Sequence, residues 1–225
     1  PIVISETANL KYATKKCIIA QTYNSGQDCM APKAIFIHKS IYCDFINFLL
    51  SMLDELRVGN YSDKKVDVGP LLSRESFLES TKLINDSRSK IIYGGEFDFK
   101  RNIIYPTIIQ YKSYCELPVD EIYAPIFRII KYSSLEEIKG YLFSDPIKKN
   151  AGYISYFGED TFPAFNNYQV LFNNTIDSLD DGNEAFGGYG IQSSFIKFKD
   201  FLQAKPILIS EEIFRFFYKE GEFGK

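Results

Sequence analysis

Short apolar runs of strand type recur along this 225-residue chain, and segments with helical periodicity stand between them. That alternation restricts the fold more than any other feature. Ile2-Val3-Ile4 is one such run, and the next, Ala34-Ile35-Phe36-Ile37, leads up to His38. Between them Leu10, Ala13, Cys17 and Ala20 recur every three or four residues, which marks the buried face of a helix, and Ser5 and Thr7 offer caps for it. From Ser40, residues Phe45, Phe48, Leu49, Met52, Leu53 and Leu56 form an amphipathic helix, with Gly59 suited to its C-terminal cap. A further helix is expected over 73–85, with Phe77, Thr81 and Ile84 inward. Strand patterns cover residues 90–93, 103–105, 107–111 and 126–132. Ser134-Leu135-Glu136-Glu137 has the form of a capping box and starts another helix. Strands follow at 152–157 and 169–172, with a short helical stretch over 159–167. Strand-helix-strand alternation predicts an α/β fold, a three-layer sandwich with a mostly parallel sheet flanked by helices. The expected organisation is one domain over residues 1–192, followed by a C-terminal tail, 193–225, that packs on or extends it.

Composition excludes several functions. Hydrophobic residues make up 45% and charged residues 24%, the balance of an ordinary globular protein, and a net charge of −3 disfavours nucleic acid and anionic membranes as partners. No apolar run reaches the roughly 18 residues of a membrane span, so a cytoplasmic location is expected. The four cysteines, Cys17, Cys29, Cys43 and Cys115, form no C-x-x-C pair, so neither a zinc site nor a disulfide scaffold is predicted. Cys17 and Cys43 read as packing residues, and Cys115 lies in a polar loop. The single histidine, His38, ends a strand and reads as structural. The chain begins at Pro1 without a signal peptide, which suggests a trimmed chain or a piece of a longer protein.

Three segments are candidates for chemistry. Asn24-Ser25-Gly26-Gln27-Asp28-Cys29 is a polar loop between helix and strand that ends in a cysteine. Such a thiol either projects into a cleft, where amide N–H groups stabilise a thiolate and an oxyanion, or stays an inert half-buried group. Asp120-Glu121-Ile122-Tyr123-Ala124-Pro125 sets a carboxylate two residues before an aromatic ring. It suits ribose hydroxyls and a planar heterocycle, or equally a solvated acidic turn. Asn173-Asn174 and Phe186-Gly187-Gly188-Tyr189-Gly190 read first as turns. Neither a G-x-G-x-x-G fingerprint nor a P-loop is present.

Taken in order, these segments resemble the catalytic domain of the NAD(P)-dependent aldehyde dehydrogenase superfamily. The loop ending in Cys29 resembles the family's N-x-G-Q-x-C, and Gly59, Asp67 and Gly69-Pro70-Leu71 follow its G…D…G-P-L stretch. Gly94-Gly95 with Pro106-Thr107-Ile108 resembles G-G…P-T-I, and Glu121-Ile122-Tyr123-Ala124-Pro125 resembles E-x-F-G-P. Asn150-Ala151-Gly152-Tyr153, Phe172-Asn173 and Phe186-Gly187-Gly188 resemble the later N-x-x-x-G-L, V-N and P-F-G-G elements. Ala124 and Ala185 replace a glycine and a proline, and Gly190–Phe195 departs from S-G-x-G, so the substrate-mouth loop is expected to be atypical.

The resemblance implies that Cys29 is the nucleophile with Asn24 as a supporting polar contact, that Glu121 binds the nicotinamide ribose, and that Tyr123 borders the nicotinamide. It implies NAD or NADP as cofactor, an aldehyde as substrate, and a homodimer or tetramer. It also implies that the general-base glutamate, the oxyanion-hole asparagine and the dinucleotide-binding domain lie upstream of Pro1, so this chain alone should not bind NAD tightly. Two alternatives stay open: a CoA-acylating or acyl-CoA reductase relative, and a non-catalytic fragment that serves as an oligomerisation module.

Overall fold

The computed structural model describes residues 1–118, 120–142, 153–160, 162, 169–175 and 208–209. Strand β1 (Ile2–Ile4) leads through helix α1 (Leu10–Thr22) to β2 (Ile35–His38), its parallel neighbour, with Ile2 opposite Ile35. Helices α2 (Tyr42–Leu53) and α3 (Arg74–Asp86) precede β3 (Ile91–Tyr93). A two-stranded ribbon, β4 (Phe97–Asp98) with β5 (Ile103–Ile104), leads into β6 (Thr107–Tyr111) and β7 (Ile126–Tyr132). Helix α4 (Leu135–Leu142), β8 (Tyr153–Phe157), β9 (Gln169–Phe172) and β10 (Leu208–Ile209) complete the described elements. The main sheet runs β10-β9-β8-β1-β2-β7-β6-β3, and it is parallel except where β3 pairs antiparallel with β6.

Three-residue strands suffice because both faces of the sheet are covered, so every alternate side chain finds an apolar partner. Val3 and Phe36 point to one side, where Phe77 and Ile84 of α3 and Ile138 and Leu142 of α4 close over them. Ile2, Ile4, Ile35 and Ile37 point to the other, against Ala13 and Cys17 of α1 and Phe45, Leu49 and Leu53 of α2. Each large side chain sealed in these layers contributes about 1.5–3 kcal/mol of transfer free energy. This is the three-layer α/β sandwich expected from the alternation.

Several local readings are corrected. Asn9 caps α1, its side-chain oxygen accepting from the Tyr12 N–H at 3.2 Å. Ser5 and Thr7 instead donate their hydroxyls to Asp160, at the far end of β8. Helix α2 ends at Leu53, so Gly59 is no cap; its N–H donates to the Val68 carbonyl in a bridge between Val58 and Val68. Glu137 closes the start of α4, but its carboxylate accepts from the Ser133 N–H rather than that of Ser134. Cys43 is exposed, because α2 turns it away from the layer that holds Phe45. Residues 150–152, most of 159–167, and Phe186-Gly187-Gly188 with the segment after it lie outside the described residues.

Candidate functional site

Strands β2 and β7 are parallel neighbours, with Ile35 opposite Ile129. The segment ending in Cys29 runs into β2, and residues 120–125 run into β7. Both therefore reach the sheet at the N-terminal ends of adjacent strands, side by side. Gly26 joins them. It adopts φ +77°, and a Cβ built on it would overlap the Ala124 carbonyl group and lie 2.8 Å from the Pro125 nitrogen. The Gln21 amide also donates to the Ala124 carbonyl, at 3.3 Å.

Asn24 and Ser25 adopt φ 47° and 59°, so three consecutive residues are left-handed. Such a run is unfavourable for L-residues, at roughly 1–2 kcal/mol per residue other than glycine. Hydrogen bonds hold it in place. Asn24 Nδ2 donates to the Gln27 carbonyl at 3.1 Å, and Gln27 Nε2 donates back to the Asn24 carbonyl at 3.0 Å. Ser25 Oγ accepts from the Gly69 N–H, and Gln27 Oε1 accepts from the Leu72 N–H, both at 2.8 Å. The Gly69-Pro70-Leu71 stretch thus clasps the loop from outside.

A tight turn then presents Cys29 to solvent: the Ala31 N–H donates to the Asp28 carbonyl at 3.1 Å, and the Met30 N–H to Asp28 Oδ1 at 2.8 Å. Partial burial pushes the Cys29 thiol above its ordinary value, and the Asp28 carboxylate pushes further. The Cys29 backbone N–H works against them, while Glu121 adds another upward push. Burial also raises the Tyr123 phenol, and the neighbouring Glu121 carboxylate, Cys29 and Asp28 push it the same way. Glu121 Oε1 lies 3.6 Å from Lys33 Nζ. Behind them Arg128 is buried, with Nη1 donating to the Asp120 carbonyl at 3.3 Å, and burial pushes its guanidinium down.

Cys29, Glu121 and Tyr123 are therefore neighbours at the N-terminal ends of two central strands, whereas the side chain of Asn24 is engaged within its own turn. Sequence reasoning missed Lys33, Ser25 and Gln27; the available signal for Lys33 was a basic residue four positions after the cysteine. Among the other candidates, Cys17 is fully buried, which drives its thiol upward, and Cys115 is exposed. His38 Nε2 reaches the Ser133 carbonyl at 3.0 Å, so that nitrogen donates, and Nδ1 is left to accept from the Ser40 hydroxyl at 2.7 Å. Its ring braces the ends of β2 and β7, far from Cys29. Among the described residues no group of three His, Cys, Asp or Glu could hold a metal ion, and no helix is long and apolar enough to cross a membrane.

The family model "Aldehyde dehydrogenase family" matches residues 1–144. The chain belongs to the aldehyde dehydrogenase family. It is 30% identical over 197 residues to the 4,4'-diaponeurosporen-aldehyde dehydrogenase of Staphylococcus aureus, a match covering 84% of this chain and 42% of that protein. With the lactaldehyde dehydrogenase of Methanococcus aeolicus it shares 32% identity over 140 residues, which cover 61% of this chain and 30% of that one. Among solved structures, substrate-bound Staphylococcus aureus AldH superposes with a TM-score of 0.71 at 27% identity, over 84% of this chain and 42% of that one. The glyceraldehyde-3-phosphate dehydrogenase of Methanocaldococcus jannaschii, complexed with NADP, gives 0.67 at 25% identity, over the same two shares. This aldehyde dehydrogenase chain spans less than half the length of these relatives.

Proposed function

We propose that residues 1–192 form the catalytic domain of an NAD(P)-dependent aldehyde dehydrogenase that oxidises an aldehyde to a carboxylic acid. The observation that carries this reading is the meeting of Cys29, Glu121 and Tyr123 at the N-terminal ends of β2 and β7, through the close contact of Gly26 with Ala124 and Pro125. In the reaction the Cys29 thiolate adds to the aldehyde carbonyl carbon, and the Cys29 backbone N–H faces the oxygen as it gains charge. Loss of hydride from that carbon leaves a thioester on Cys29. Water then releases the acid and returns the thiol.

The residues present fit a nicotinamide cofactor. The partly exposed Glu121 carboxylate has acceptor oxygens suited to the two hydroxyls of a ribose, and the Tyr123 ring beside it gives a planar ring a surface to pack on. When bound, NAD or NADP supplies the hydride acceptor. The raised Cys29 thiol makes deprotonation a real step, so a base is required; we place it in the portion of the enzyme upstream of Pro1, together with the rest of the cofactor site. The same reading carries a cytoplasmic enzyme, a homodimer or tetramer, and residues 193–225 as a segment that extends the catalytic domain, β10 adding a strand to its sheet.

The test is aldehyde oxidation by the whole enzyme that carries this chain, followed through reduced nicotinamide. Cys29→Ala is expected to lower kcat by at least about a thousandfold, the usual consequence of removing a nucleophile. Unchanged turnover would refute the reading. Formation of an acyl-CoA on adding coenzyme A would replace hydrolysis with acyl transfer and leave the role of Cys29 intact.

A further inference from the structure

Lys33 has no role in the chemistry proposed above, yet its ammonium contacts the Glu121 carboxylate. Its ammonium stands 3.6 Å from Glu121 Oε1, with the two side chains only 22% and 27% exposed. Lys33 lies on the same segment as Cys29, between the Asp28–Ala31 turn and the start of β2. Glu121 lies on the segment that enters β7. The two segments are thus tied twice, by the backbone contact of Gly26 with Ala124 and by this ion pair. The first tie fixes the Ala124 end of the segment, and the second reaches the Glu121 side chain.

A glutamate has three rotatable side-chain bonds, and the backbone contact at Ala124 does not settle them. Lys33 holds the carboxylate from the opposite loop, and the Tyr123 phenol stands beside it on its own loop. Among the described residues Cys29 and the buried Arg128 also feel the carboxylate, and Asp28 stands beside Cys29 and Tyr123. None of them is positioned as Lys33 is. Cys29 and Asp28 become like charges when ionised, and Arg128 directs Nη1 to the Asp120 carbonyl.

We propose that Lys33 is a positioning residue for cofactor binding: by holding the Glu121 carboxylate from the nucleophile loop, it sets the distance between the ribose-binding oxygens and Cys29. It acts through Glu121 and touches neither substrate nor cofactor. This proposal rests on the reading of Glu121 as the ribose carboxylate.

The experiment is a kinetic cycle in the whole enzyme with Lys33→Met, Glu121→Gln and the double variant. Lys33→Met is expected to raise the KM for the nicotinamide cofactor about tenfold, the size of a partly shielded charge-assisted contact, with a smaller effect on kcat. Lys33→Arg, which keeps the charge, is expected to restore most of the loss. In the Glu121→Gln background Lys33→Met should have no further effect, because the carboxylate it holds is gone. Additive effects in the double variant would mean that Lys33 acts elsewhere, and the proposal would fall. A KM that decreases in Lys33→Met would show that Lys33 competes with the ribose, which also overturns it. If Glu121→Gln raises the KM and Lys33→Met does not, only this inference fails. If Glu121→Gln leaves the KM unchanged, the cofactor role of Glu121 fails and this proposal with it. Should Lys33→Met fold poorly, Lys33→Gln in the same cycle provides the same readout.

Discussion

Gly26→Ala separates the backbone contact at the site from every other feature of the fold. The added methyl would overlap the Ala124 carbonyl and lie 2.8 Å from the Pro125 nitrogen, and both obstacles are main chain that cannot rotate away. The residue also sits at φ +77°, which costs an L-residue roughly 1–2 kcal/mol by itself. Overpacking against a rigid neighbour adds about 1–3 kcal/mol, for a total of about 2–5 kcal/mol. In a domain of this size each kcal/mol lowers Tm by roughly 2–4 °C, so a fall of about 4–20 °C is expected in thermal denaturation. If the loop yields instead of the whole domain, the two segments separate by the width of a methyl group. Cys29 then shifts relative to Glu121, and a misplacement near 1 Å costs up to about a hundredfold in kcat/KM. A Gly26→Ala protein with Tm within 2 °C of the parent and unchanged kcat/KM would refute the account of how the two loops are joined.

Two further outcomes follow from the titrating groups. Because Asp28 helps to raise the Cys29 thiol, Asp28→Asn should move the midpoint of Cys29 alkylation by iodoacetamide to lower pH, read on the Cys29 peptide by mass spectrometry so that exposed Cys43 and Cys115 do not interfere; an unmoved midpoint would leave burial and the Glu121 carboxylate as the causes. Burial opposes ionisation of Asp160, but the hydroxyls of Ser5, Thr7 and Tyr156 outweigh it and hold the carboxyl below its usual range. A carboxyl lowered on folding contributes stability above its unfolded value near 4 and loses that contribution as the pH falls through the folded one. Chemical denaturation between pH 5 and pH 2.5 should therefore show a smaller acid loss in Asp160→Ala than in the parent; equal losses would mean that these bonds survive protonation.

The runs Ile2–Ile4, Ile35–Ile37 and Ile126–Ile130 were legible as strands because a strand buried on both faces is apolar at every position, and a local window sees all of it. Helix faces were legible for the same reason, as the spacing of Phe45, Leu49 and Leu53 shows. Ends and caps were less so, because their partners lie elsewhere. Leu56 continues the helical period of α2, yet the Arg57 carbonyl accepts from the Asp67 and Val68 N–H groups and the chain leaves the helix at Leu53. Ser5 and Thr7 look like caps, but their hydroxyls meet a carboxylate on a distant segment.

The sequence by itself determined the α/β class, the family and the list of polar groups at two strand entrances. Those are properties of residue type and spacing, which the chain carries locally. Only the tertiary structure decided that the two entrances are one place, because strand order sets β2 beside β7 and a missing Cβ at Gly26 lets the loops touch. It also decided the state of the thiol. The local reading left open an amide-stabilised thiolate or an inert half-buried thiol; the Cys29 backbone N–H does act to stabilise the thiolate, but burial and the Asp28 and Glu121 carboxylates prevail. Electrostatic balance at a side chain depends on every charge near it in space, and Lys33, Glu121 and Cys29 become neighbours only when the sheet is assembled.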